Sequence, residues 1–260
     1  MNLKSRKRLA LLLALVMAFT MSFTTTAFAA DEQGYLALGS DLSDSEKATV
    51  LDLLGVDNEA DYNVIYVTNS EEHKYLDSYV SSDQIGSKAL SSVLITENDS
   101  DEIDVETHNI GYCTEEMYEN ALSTAGVSGA DVVVAGPYEI SGTAALVGTV
   151  KAYEEMTGET VDDDVLEGAV DEITTTGEVG EEIGSMDAAG DIVSDVKEKL
   201  AENPDMSDSE LEQTIKDAAE DAGYNLSDGT VQKIKDMTQN LQGLDIDWSK
   251  LSNILNSDKA

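Results

Sequence analysis

The sequence predicts an α/β protein: a mixed sheet built from two βαβ units with packed helices, followed by an all-helical C-terminal half. An α+β arrangement is the alternative. Three observations carry this reading. The run Val132-Val133-Val134-Ala135 is β-branched and bounded by Gly136-Pro137, as a buried strand would be. The pattern strand, capped helix, Gly-Val exit, strand occurs twice. Beyond Val161 only helical periodicity remains.

The chain opens on a secretory signal. Lys4, Arg6, Lys7 and Arg8 precede an apolar run from Leu9 to Phe23, and Ala27-Phe28-Ala29 offers small residues for cleavage before Ala30. Residues 1–29 are thus read as a signal peptide, 30–158 as the α/β domain and 159–260 as the helical region. No later stretch is apolar enough to span a bilayer, so the expectation is a secreted, extracellular protein without membrane insertion after cleavage. Losing the four signal cations, with no acid among residues 1–29, takes the formal charge from −38 to −42. Such a field opposes nucleic acid and anionic membranes and favours cations. Cys113 is the only cysteine, which excludes an intrachain disulfide.

In chain order, Tyr35 to Gly39 reads as the first strand. A helix from Ser43 to Leu54 follows, opened by the capping box Ser43-x-x-Glu46 and closed by Gly55-Val56. Asn63 to Thr68 is the second strand, and Asn69 or Ser70 caps a short helix through Tyr79. Seventy-one residues after the first unit the grammar recurs: strand Ile103 to His108, cap Thr114, exit Gly126-Val127, strand Asp131 to Ala135. Leu51 matches Leu122, so a duplication is expected. Between the units, Ser87 to Thr96 and Ile103 to Ile110 read as a hairpin. A helix behind Ser141-Gly142-Thr143 presents Leu146, Val150 and Tyr153 to the sheet. The helical half carries stripes at Val165, Leu166, Ala169, Val170 and Ile173; at Ala189, Ile192, Val193, Val196 and Leu200; and at Leu211, Ile215, Ala218 and Ala222. Val231, Ile234, Thr238 and Leu241 continue it, and Asp247 caps a last helix with Trp248, Leu251 and Leu255. Thr174 to Gly184, with three Thr and three Gly, reads as a break or hinge.

The stretches ALGSDLSDSEKATVLDLLGV, VIYVTNSEEHKYL, QIGSKALSSVLI, ALSTAGVSGADVVVAGPYEISGTAALVG and TGEVGEEIG together resemble the YpuA-like secreted proteins of Gram-positive bacteria, a family of unknown function. The resemblance covers nearly the whole mature chain. It implies an exported protein of Firmicutes-like origin and no known activity, so it assigns no catalytic residue.

Candidate chemistry rests on a few positions. Ser141, Gly142 and Thr143 lie between a strand end and a helix start, where backbone N–H groups, the helix dipole and two hydroxyls suit an anion or carboxylate. Gly142 would let the ligand approach, and a plain glycine-turn cap is the alternative. No lysine follows, so this is not a nucleotide P-loop. His73 and Asp77, at i and i+4, are a weak two-ligand metal pair, with Glu72 adjoining but pointing elsewhere. His108 has no local partner. Cys113 precedes a cap and matches Leu42 of the first unit, which favours a buried hydrophobe over a nucleophile. Asp57, Glu59 and Asp61 have calcium-like spacing, but Tyr62 stands where a calcium loop needs glycine. No cofactor is expected. The reading is a non-enzymatic binding or interaction protein taking an unknown protein or small molecule outside the cell. The alternative is a secreted hydrolase using carboxylates or a Ser/Thr of the Ser141-Gly142-Thr143 turn.

Overall fold

A computed structural model describes residues 34–79, 85–100 and 102–257. The signal segment 1–29 lies outside the described residues. Five strands form one mixed sheet in the order β2-β1-β3-β5-β4. They are β1 (Tyr35–Gly39), β2 (Asn63–Val67), β3 (Ser92–Glu97), β4 (Ile103–Ile110) and β5 (Ala130–Ile140). β1 and β2 are parallel, as are β4 and β5, while β3 runs antiparallel between β1 and β5. Both βαβ units therefore exist, each pairing its two strands side by side.

Helix α1 (Asp44–Leu53) crosses the first unit and α3 (Glu115–Thr124) the second; α2 (Asn69–Leu76) lies between the units. The duplication is visible bond by bond. Ser43 caps α1 by accepting from the Glu46 N–H, and Thr114 caps α3 by accepting from the Met117 N–H. Both helices then end in a left-handed glycine, Gly55 at φ 70° and Gly126 at φ 81°. Val56 N–H donates back to the Leu51 carbonyl at 2.8 Å, and Val127 N–H to the Leu122 carbonyl at 2.9 Å. This six-to-one bond is the helix-ending motif that a Gly-Val exit permits. The α2 cap is Thr68, one residue before the two expected ones, completed by Glu71 as a capping box.

Side chains alternate across the sheet as the strand period demands. Leu36, Leu38, Leu94, Val133 and Ala135 pack with Val50 of α1 and its C-cap residue Leu54 on one face. Ala37, Val93, Ile95, Val132 and Val134 face α3 and α4 (Thr143–Thr157) on the other. Gly148 allows α4 to settle there: a Cβ at that position would stand 3.1 Å from Ala37 Cβ and 3.2 Å from Val67 Cγ2.

Two expectations about this half are corrected. β3 and β4 do not form a hairpin, because β5 lies between them and pairs with both. The strand apolar on both faces takes the protected position. Nor does β5 stop at Gly136-Pro137; it runs on to Ile140. Proline is tolerated because its missing N–H falls where the ladder is already broken. β3 pairing ends at Ala135, and the β4 register shifts between His108 and Ile110. Asn109 occupies the bulge with φ 57°, and its Nδ2 donates to the Gly136 carbonyl at 3.0 Å.

The C-terminal half is helical, with α5 (Asp163–Ile183), α6 (Met186–Glu202), α7 (Asp208–Asp221), α8 (Asp228–Gln242) and α9 (Trp248–Ser257). Three of the five apolar stripes converge: Ile192, Val196, Leu211, Ile215, Val231, Ile234 and Leu241 share one core with Val179 of α5. Leu166, Ala169, Val170 and Ile173 of α5 instead join the core beneath the sheet. The hinge expected at Thr174 to Gly184 is absent: α5 passes through it unbroken and ends at Gly184, φ 78°. Thr174 and Thr176 hydroxyls donate to carbonyls four residues back, those of Val170 and Glu172, at 3.0 and 2.7 Å. The glycines serve contact. The α hydrogens of Gly177 meet the Tyr112 ring, and Gly180 lies against Met186.

A buried ion pair fastens α6 to α5 and α3. Lys197, 2% exposed, reaches Glu172, 1% exposed, at 3.0 Å. The ammonium also donates to the Asn120 carbonyl and to Ser123 Oγ, while Thr124 Oγ1 donates to the Glu172 carboxylate at 2.5 Å. Burial pulls the Lys197 pKa down and Glu172 opposes that pull.

Two substitutions test this packing. Gly177→Ala would add up to about 1 kcal/mol in an exposed helix. Here overpacking against Tyr112 should outweigh it, and urea denaturation should show a net loss on the order of 1–2 kcal/mol. Lys197→Met should cost about 3–5 kcal/mol because it strands the Glu172 charge, and adding Glu172→Leu should restore most of the loss.

Candidate functional site

The loop between β5 and α4 is where the sequence places its candidate ligand site, and the structure gives it a defined shape. Gly142 is the cap of α4, at φ 96° and without a side-chain cap bond. Its backbone is approached by the protein itself. An added Cβ would stand 2.5 Å from Tyr118 Oη and 2.7 Å from Ile110 Cγ2. The buried Tyr118 hydroxyl donates to the Gly142 carbonyl at 2.6 Å. The expectation that Gly142 opens the turn to a ligand is corrected: the close approach belongs to α3.

That anchoring turns the flanking hydroxyls toward α2. Thr143 Oγ1 lies 3.3 Å from Ser141 Oγ and donates to Glu72 Oε1 at 3.1 Å. Asn69 Nδ2 donates to the other carboxylate oxygen at 3.1 Å. Ser91 Oγ accepts from the Ala145 N–H at 2.9 Å, holding the first turn of α4 to the start of β3. Glu72 is 1% exposed to solvent. It shares a face of α2 with buried Leu76, four residues on.

Glu72, Ser141 and Thr143 line one cavity of about 270 Å³, with Ser87, Lys88, Ser91 and Tyr138 among its other walls. The β4–β5 bulge delivers Tyr138, 53% exposed, to the rim. Burial raises the Glu72 carboxyl from 4.5 to about 7; the bonds from Asn69 and Thr143 and the charge of His73 pull against that, and Asp41 adds to it. Among the described residues Glu72 has no salt-bridge partner, unlike Glu172.

The remaining candidates resolve into local roles. His73 Nδ1 sits 2.5 Å from Asp77 Oδ1 on the exposed side of α2, and this contact is the main cause that raises the imidazole pKa. Glu72 points away from that pair, as expected. His108 Nε2 lies 3.3 Å from Glu106. Cys113 is buried in the sheet core, and desolvation pushes its thiol up to about 12, a pKa at which it is not a nucleophile. Glu59 pairs with Lys47 at 2.5 Å. Among the described residues no group of three His, Cys, Asp or Glu is placed to hold a metal ion.

Another cavity, of about 180 Å³, opens between α3 and α6, lined by Glu116, Glu119, Asn120 and Ser194. Burial raises Glu116 to about 8, and Asp191, Glu119 and Asp187 add to it. Asn120 Nδ2 is buried there without a partner.

Fold and cavity define a layered α/β protein with a helical C-terminal half and a small carboxylate-floored pocket at the end of its longest strand. The chain belongs to the family described as Protein of unknown function (DUF1002), whose profile matches residues 38–257. It is 41% identical over 255 residues to a protein of Bacillus subtilis (strain 168) named Uncharacterized protein YpuA, covering 97% of this chain and 86% of that one. No solved structure matches it. Within the described residues no helix is long and apolar enough to cross a membrane.

The raised Glu72 carboxyl has a consequence for stability. Between 4.5 and about 7 the folded protein keeps a proton that the unfolded chain has released. Stability therefore falls as pH rises through that window. Glu72→Gln removes the titration while keeping the shape. Thermal denaturation should find it more stable than wild type at pH 8, by up to about 3 kcal/mol, and nearly equal at pH 4.

Proposed function

We propose that this chain is exported through its first 29 residues and acts outside the cell as a non-enzymatic binding protein for a small polar ligand. The observation that carries the reading is the floor of the cavity between α2 and the start of α4. There a fully buried carboxylate, Glu72, is held by Thr143 and Asn69 beside a row of hydroxyls. Concave sites with a few fixed polar groups among apolar walls are how proteins hold small molecules. Ile85, Leu90, Ile140 and Ala144 supply the apolar part of the wall.

The same floor argues against the free anion or carboxylate suggested by the turn alone. Glu72 stands at the start of α4 and accepts from Thr143, so an arriving anion meets a carboxylate there. The chain-wide charge of −38 adds to the repulsion. A hydrolase would need a second catalytic carboxylate or a base beside Ser141. Among the described lining residues Glu72 is the sole carboxylate, and no histidine is present. The nearest hydroxyl to Ser141 Oγ is that of Thr143.

Screening a set of amines, amino acids, sugars and polyols against the mature protein at pH 8 by amide NMR tests the binding function. At least one compound should shift residues 85–91 and 141–145 together, and Ser141→Leu, which narrows the cavity, should abolish that shift. No compound moving these two segments would remove the cavity as a binding site.

A further inference from the structure

Among the described residues two glutamates are each 1% exposed, and the protein treats them differently. Glu172 lies 3.0 Å from the Lys197 ammonium. Glu72 has a hydrogen-bond donor on each oxygen, Thr143 Oγ1 and Asn69 Nδ2, both neutral, and among the described residues no lysine pairs with it, although Lys88 lines the cavity it faces. A buried carboxylate without a cation is held at a cost that pairing would remove. We propose that the cavity above Glu72 takes a primary ammonium group, carried on a short polar body, in the position that Lys197 holds beside Glu172. This rests on the cavity being the binding site and adds the class of ligand.

The walls suit that group. An ammonium has three donors. The Glu72 carboxylate accepts one, and the oxygens of Ser141 and Ser87 offer acceptors on the same lining. Tyr138 at the rim presents an exposed ring, and an aromatic face attracts a cation passing over it. The cavity, about 270 Å³, has room for a small molecule. The excess of acidic residues concentrates cations around the whole chain.

The charges around Glu72 do not complete the pair from within. His73 on α2 lowers the Glu72 carboxyl and Asp41, beyond β1, raises it. Lys88 lines the cavity, but its charge acts on Glu46 of α1, and among the described residues it makes no ion pair with Glu72. An arriving ammonium displaces the Glu72 proton, since only the ionised carboxylate gains from it. Affinity should therefore rise with pH through about 7.

The test uses three probes with one body: ethanolamine, ethylene glycol and glycolate, titrated into the mature wild-type protein and read by amide shifts at residues 85–91 and 141–145. Ethanolamine should bind at pH 8 and lose about tenfold in affinity at pH 6, following the ionised fraction of Glu72. The glycol and glycolate should bind at least tenfold more weakly than ethanolamine at pH 8. In Glu72→Gln the ethanolamine shifts should vanish. Equal binding of the glycol, or amine binding that ignores pH, would overturn the ammonium assignment while leaving the cavity a binding site. Silence of these amides toward all three probes and the wider screen would overturn both. The wild-type pH comparison decides the question even if the variant fails to fold.

Discussion

A carboxylate removed from water must be paired, hydrogen-bonded or protonated, and that constraint governs both ends of this molecule. In a chain of net charge −38, Glu172 and Glu72 are, among the described residues, the two glutamates taken fully inside. Around Glu172 the solution is a lysine. Lys197 reaches across from α6, satisfies the charge, and spends its other donors on Asn120 and Ser123 of α3. One side chain thereby ties the helical half to the second βαβ unit. Around Glu72 the solution is hydrogen bonds from Thr143 and Asn69 and a proton retained to about pH 7.

The geometry of the Glu72 cavity follows from the end of β5. The ladder to β4 breaks at Asn109, opposite which β5 carries the four residues Gly136 to Glu139, so Gly136-Pro137 pass without a missing bond. Beyond the β3 pairing the strand carries on beside β4 alone and brings Tyr138, Ile140 and Ser141 to the cavity. Tyr118 catches the Gly142 carbonyl and sets the start of α4. With the turn held from behind, Thr143 can direct its hydroxyl to Glu72 rather than cap its own helix. Pocket, bulge and cap are one arrangement.

Local chemistry in the sequence announces much of this fold. The capping boxes, the Gly-Val exits and the seventy-one-residue repeat are short-range signals, and each is present as a bond between near neighbours. What depends on distant partners is not legible. Thr174 to Gly184 reads as a hinge because its glycines lack side chains, yet Gly177 is there for Tyr112 and Gly180 for Met186. β3 and β4 read as a hairpin because they adjoin in sequence, yet β5 separates them. Ser141 and Thr143 do reach a cavity, but its central group was out of sight. Glu72 and Lys197 look like surface charges until one sees the apolar neighbours on their own faces: Leu76 four residues after Glu72, and Val193, Leu200 and Ala201 around Lys197. A charge inside an apolar stripe was the available signal.

The same two glutamates link the fold to the proposed ligand. A cavity floored by an ionisable group without a cation holds binding energy for whichever cation fits, and the protein's own architecture shows at Glu172 what that pairing looks like. The claim stands on the state of one carboxyl group. Carbon-13 titration of the Glu72 side chain in the ligand-free protein reads it directly. A midpoint near 7 is predicted. A midpoint at or below the ordinary 4.5 would mean that Glu72 is already paired or solvated, and would contradict the account.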